Sequence, residues 1–130
     1  MHPFRQAVEA GDMAAVEELL ADDVVFTSPV AFRPYPGKAI TASIVRGVAR
    51  VFEDFHYVRE IAAVDGRDHV FVFKAKVNGR EVHGCDFLHF DENGLIDDLT
   101  VMVRPLSAAK ALAEAMGAQF ERIQREALGS

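Results

Sequence analysis

The 130-residue chain predicts an α+β fold, with helices packed on one face of a bent antiparallel sheet. Three observations carry that expectation. Apolar residues recur at helical spacing in the first half, interrupted by one β-branched run. From residue 55 the spacing changes to strict alternation, broken by three turn signals. A long helical pattern then follows Pro105.

Phe4 to Ala10 reads as a short helix ended by Gly11, and Asp12 is suited to cap a second helix over 13–20. Val16, Leu19 and Leu20 face inward on it. Ala21-Asp22-Asp23 leads into Val24-Val-Phe-Thr-Ser28, a strand by its β-branched and aromatic content. Pro29 stops it, and the prolines between residues 29 and 37 make a loop of restricted geometry. Lys38 to about Phe52 forms a helix with Ile40, Ile44, Val48 and Val51 or Phe52 on one stripe.

Tyr57–Val64, His69–Val77, Glu81–Phe90 and Leu95–Val103 are the four strands of a meander. They are joined by Asp65-Gly66-Arg67-Asp68, Asn78-Gly79 and Asp91-Glu92-Asn93-Gly94. Asn78-Gly79 is a strong two-residue hairpin signal. The last helix runs from about 105 to 127 with Leu106, Ala109, Leu112, Met116, Phe120, Ile123 and Ala127 along one face. Without a repeat or a linker, residues 1–130 form a single domain.

One residue stands out chemically. Asp86 lies in the run Glu81-Val-His-Gly-Cys-Asp-Phe-Leu-His-Phe90, on the face shared by Val82, Gly84, Leu88 and Phe90. None of these can pair a charge. A buried carboxylate must find a partner or take up a proton. Gly84 leaves room beside it, as a pocket would. Asp86 is therefore a candidate acid, base or hydrogen-bond donor; the structural alternative is an aspartate bonded to a neighbouring loop or bulge.

Composition narrows the partners. A net charge of −6 and a pI near 5.3 argue against nucleic acid and against an anionic membrane surface. No apolar run approaches the roughly 20 residues that span a bilayer, and the N-terminus lacks a secretory pattern. Cys85 is the single cysteine, which fits a reducing cytoplasm. His83 and His89 share its outward face, yet no fourth ligand follows at a recognisable spacing, so no metal is expected. Dinucleotide, phosphate-loop and nucleophile-elbow patterns are absent, and no cofactor is expected.

Gly11-Asp12, the stretch Leu20-Ala-Asp-Asp-Val-Val-Phe-Thr-Ser-Pro29, Gly37 before the middle helix, and Cys85-Asp-Phe-Leu-His-Phe-Asp-Glu-Asn-Gly-Leu-Ile96 together resemble the nuclear-transport-factor-2-like superfamily. The nearest branch is that of SnoaL-like polyketide cyclases and ketosteroid isomerases. The resemblance covers about Phe4 to Val103 and implies a cone-shaped sheet with the N-terminal helices on its concave face. The last helix looks longer than the isomerases have, and would cap the cone or meet a partner subunit. The isomerases use an aspartate base, a tyrosine hydroxyl and a protonated aspartic acid. A gap-free alignment puts Ser28 at the base, Phe4 at the tyrosine and Asp86 at the acid. Only Asp86 matches, so steroid double-bond isomerisation of the usual kind is not expected.

His56 and Tyr57 begin the second half on opposite faces, and one of them should point inward beside Asp86. With Ser28 they complete the candidate catalytic set. Arg59 falls on the face of Tyr57 and Glu60 on that of His56. Phe4, Phe26, Phe32, Tyr35, Phe52, Phe55, Phe71, Phe73, Leu88, Leu99 and Val101 are the candidate pocket walls. His69, Lys74 and Lys76 read as surface, and Asp97 as pocket rim or surface. Cys85, Phe87, Thr100 and Met102 make an outer face apolar enough to suit a homodimer. The expected function is binding of a small hydrophobic molecule, with acid–base chemistry on it; the alternative is a non-catalytic ligand-binding or protein-interaction module.

Overall fold

A computed structural model describes residues 2–129. Two short helices, α1 (Pro3–Glu9) and α2 (Met13–Glu18), precede β1 (Leu20–Thr27), a short β2 (Tyr35–Pro36) and α3 (Lys38–Val51). Then come β3 (Glu53–Ala62), β4 (Asp68–Val77), β5 (Arg80–Phe90), β6 (Ile96–Arg104) and the long α4 (Leu106–Ala127). The six strands form one sheet in the order β2-β1-β6-β5-β4-β3.

Local chemistry sets most boundaries. The Asp12 side chain accepts from the Ala15 amide and starts α2, while Gly11 turns the chain at φ +71°. Asn78-Gly79 closes the β4–β5 hairpin with both residues at positive φ, as a tight hairpin turn requires. β3 through β6 form the expected antiparallel meander. The β1–β6 ladder is parallel, because α3 and the whole meander separate those strands in the chain.

Several boundaries differ from the sequence reading. Leu20 opens β1 rather than closing α2, and Asp22 and Asp23 lie within that strand on its exposed side. An irregularity between Leu20 and Val25 accommodates them. Tyr35 and Pro36 pair with Phe26 and Val25, so the proline loop carries a small edge strand. β3 begins at Glu53, four residues earlier than the alternation suggests, and ends at Ala62. Leu106 is 71% exposed, since it sits at the first turn of α4 before the helix reaches the sheet.

Two bulges redirect side chains. In β3 the register shifts between Tyr57 and Arg59, which moves Glu60 opposite Phe71 and onto the inner face. Arg59, opposite Val72, goes to the outer face. In β6 the shift near Phe90 leaves Asp97 as the extra residue, and its carboxylate meets His89 Nδ1 at 2.6 Å on the outer surface. Asp97 is thus a surface group away from the pocket.

The core lies between the inner sheet face and the helices, with Val16, Val24, Phe71, Phe73, Val82, Leu88, Ile96 and Ile123 almost fully buried. α4 folds back over this face and packs along α3. Ser43 Oγ donates to the Ile123 carbonyl at 2.6 Å, and a Cβ on Gly47 would lie 2.7 Å from Ile123 Cδ1. These close contacts hold α4 against its own domain. None of the described helices is long and apolar enough to cross a membrane.

Candidate functional site

A cavity of about 550 Å³ opens between the inner sheet face, α1, α3 and α4. That size suits a ligand of several rings. Its lining is almost wholly apolar, and the polar or charged residues in it are Glu9, Ser28, Tyr35, Tyr57 and Asp86.

Asp86 is 8% exposed, with Phe71 and Val101 as its neighbours across the sheet. Tyr57 lies on β3, beyond the intervening β4, and its hydroxyl crosses that strand to donate to Asp86 Oδ2 at 2.8 Å. The ring is held in place by Phe55, edge-on at 5.0 Å, and by Phe71 at 5.6 Å. Among the described residues, Asp86 Oδ1 has no protein hydrogen-bond partner, and the residue lines the cavity.

Burial pushes the Asp86 carboxyl up to about 7, and the Tyr57 hydrogen bond opposes part of that rise. Burial, followed by the nearby Asp86 charge, raises the Tyr57 phenol well above its ordinary value, so its proton stays in place. Near neutrality the carboxyl therefore occupies both protonation states. Neutral, it donates a hydrogen bond into the cavity; ionised, it accepts a proton there.

The sequence reading located the carboxyl and misjudged the space beside it. Gly84 does not open a void, because the Phe73 ring fills the position. A Cβ on Gly84 would lie 2.5 Å from Phe73 Cζ and 2.7 Å from the Met102 carbonyl oxygen. The room lies further along the wall, toward α3 and α4.

Of the candidate catalytic residues, Asp86, Tyr57 and Ser28 line the cavity. The Ser28 Oγ also accepts the Val30 amide at 3.1 Å, so it forms a turn at the cavity edge. His56 is not brought to the site. It is exposed on the outer side of β3, its Nδ1 2.9 Å from the Asp54 carbonyl oxygen. Asp54 has φ +53° at a bulge, which sets Tyr57 inward and His56 outward.

Among the candidate walls, Phe4, Phe26, Tyr35, Phe52, Phe55, Phe73, Leu99 and Val101 line the cavity. Phe32 is 98% exposed on the proline loop. Phe71 and Leu88 are core residues outside the lining: Phe71 is covered by the Phe4 ring, 5.7 Å away, and Leu88 is 2% exposed. Sequence reasoning missed Glu9 and the α4 wall, formed by Leu112, Met116, Phe120 and others. The helical stripe of α4 was legible, but which surface it covers is a long-range fact. Cys85, His83 and His89 lie on the outer face of β5, and no three metal-ligating side chains converge among the described residues.

A family model described as a SnoaL-like domain matches residues 2–99. The chain belongs to the SnoaL-like family. The crystal structure of a steroid delta-isomerase from Pseudomonas aeruginosa is similar to this SnoaL-like domain at 40% identity and a TM-score of 0.88, covering 94% of this chain and 89% of that one. A cystatin-like-fold protein from Silicibacter pomeroyi is 30% identical with a TM-score of 0.84, over 95% and 91% of the two chains. An NTF2-like protein from Cytophaga hutchinsonii shares the fold at 19% identity and a TM-score of 0.61, over 79% and 85%. No match is found among curated proteins. The chain is thus an NTF2-like α+β fold, and its long last helix, beyond the matched residues, lines the cavity.

Proposed function

We propose that this domain binds a small hydrophobic molecule in the cavity and acts on it by cofactor-independent acid–base chemistry centred on Asp86. The observation that carries the reading is the Tyr57–Asp86 hydrogen bond in an otherwise apolar wall, with Asp86 Oδ1 unpartnered. Most buried carboxyl oxygens in folded proteins are hydrogen-bonded, and the residue that carries this one lines the cavity. Likeness to a structure named as a steroid delta-isomerase supports isomerase-type chemistry. Ser28 and Phe4 replace two groups that the isomerases use, and that favours a reaction other than the usual one.

Ser28 supports the second reading, a ligand-binding or interaction module without catalysis, because its hydroxyl accepts the Val30 amide and donates to no base among the described residues. The outer sheet face suits a homodimer, with Phe87 39% and Met102 56% exposed beside Cys85 and Thr100. A lone, half-buried Cys85 suits a reducing cytoplasm.

The test is crystallographic. Crystals of protein purified without added ligand should show elongated or ring-shaped density beside Asp86. A cavity closed by rearranged side chains, with Asp86 Oδ1 bonded to the chain, would sink the ligand-site reading.

A further inference from the structure

Acid–base work on a carbon skeleton needs two proton-handling groups, one to polarise an oxygen and one to take a proton from carbon. Asp86 supplies one of them. Among the described residues lining the cavity, the other carboxylate is Glu9, near the end of α1. Arg5 donates to Glu9 Oε1 at 3.2 Å and also meets Glu60 Oε1 at 3.5 Å, on the inner face where the β3 bulge puts it. Glu9 Oε2 has no hydrogen bond among the described residues.

The two carboxyls stand in opposite surroundings. Asp86 is buried among apolar side chains; Glu9 is exposed, its carboxylate against the Arg5 guanidinium. Tyr57 lies within electrostatic reach of both, and its hydroxyl is committed to Asp86. Ser28 does not fit the base role, because among the described residues its hydroxyl has no hydrogen-bonded proton acceptor.

We infer that Glu9 is the catalytic base of the cavity, acting with Asp86 on apolar ketones that carry an acidic carbon–hydrogen bond; this rests on the acid–base reading above. Glu9 Oε2 takes the proton from the carbon next to the carbonyl. The C–H electron pair becomes the new C=C bond, and the carbonyl π electrons move to oxygen, which takes the proton of neutral Asp86. The exposed Glu9 carboxyl then swaps that proton for one from solvent, and reversal returns the solvent-derived proton from Glu9 to carbon and the enol proton to the Asp86 carboxylate. No other reactant is consumed, and in D2O the net result is exchange of hydrogen for deuterium.

The test uses 2-tetralone, a bicyclic ketone, with its deuterium exchange followed by proton NMR, and 2-naphthol, the planar counterpart of its enol, as a binding probe. The wild type should accelerate exchange above the buffer rate. Glu9→Gln should lower that acceleration 100-fold or more while 2-naphthol affinity stays within about two-fold. Arg5→Met breaks the same ion pair but keeps the carboxylate, and should lose far less. Exchange by Glu9→Gln at the wild-type rate overturns the role of Glu9, as does an equal loss in Arg5→Met. A wild type that binds 2-naphthol without accelerating exchange overturns the acid–base reading and Glu9 with it; failure to bind 2-naphthol overturns the ligand site itself.

Discussion

The Tyr57 hydroxyl reaches across a whole strand to hold one oxygen of Asp86, at 2.8 Å, and leaves the other facing the cavity. This arrangement is costly for the fold. The gap between the ordinary carboxyl value of 3.8 and about 7 corresponds to about 4 kcal/mol against the folded state when Asp86 is ionised. Below about pH 4 both folded and unfolded chains carry the proton and the penalty vanishes. Between about pH 4 and 7 the unfolded chain has lost the proton while the folded chain keeps it, so stability falls as pH rises. Above 7 the full penalty remains. Asp86→Asn should therefore be more stable than wild type at pH 8 by up to a few kcal/mol, with the difference shrinking toward zero at pH 4. Thermal unfolding of both proteins across that range checks it, and a difference independent of pH would refute the assignment.

Tyr57→Phe should shift the same titration upward. The hydrogen bond favours the ionised carboxylate, so its loss leaves burial unopposed. The midpoint of Asp86, read from its carboxyl carbon by NMR, should move above that of the wild type. The variant should also lose about 1 kcal/mol of stability from the missing bond. A midpoint that stays put or falls would mean that Tyr57 does not govern Asp86.

Local patterns made most elements readable: the Asp12 cap, the Asn78-Gly79 turn and the alternation around Asp86 all act over a few residues. The bulges were not readable in the same way. A one-residue register shift reverses which side chains face inward, and the alternation alone has no mark for it. Glu60 therefore changed faces, and of the two readings open for Asp97, rim or surface, the bulge selects the surface, against His89. The site was half legible for a related reason. A carboxylate among apolar residues announces itself, whereas Glu9 looks like any solvated helix residue until α1 is laid over the sheet. His56 and Tyr57 were indistinguishable until the bulge at Asp54 fixed the twist of β3.

Gly84→Ala should be destabilising despite replacing the smallest side chain with the next. The new methyl would meet Phe73 Cζ at 2.5 Å and the Met102 carbonyl oxygen at 2.7 Å, and the backbone oxygen cannot swing aside. Overpacking of this kind costs about 1–3 kcal/mol. Phe73 stacks on Phe55 at 4.9 Å, which in turn steadies Tyr57, so the displacement should also disturb Asp86. Phe73→Leu in the same chain should recover part of the loss, giving a favourable coupling in a double-mutant cycle of urea unfolding. Strict additivity of the two substitutions would show that Phe73 is not what Gly84 makes room for.

The outer sheet face supports a last prediction, on assembly. Cross-strand register lines up Val72, Cys85 and Met102 in one row and Val70, Phe87 and Thr100 in the next, on the face away from the helices. Phe87 and Met102 remain substantially exposed in the single chain. If two copies bury them against each other, the wild type should run at twice the 14.3 kDa chain mass by light scattering. Met102→Glu would place an unpaired carboxylate at the centre of that contact, where desolvation is costly. It should shift the protein to the monomer mass. Because Met102 points away from the cavity, 2-naphthol binding should survive the change. A monomeric wild type, or a Met102→Glu variant that keeps the dimer mass, would remove this face from the assembly.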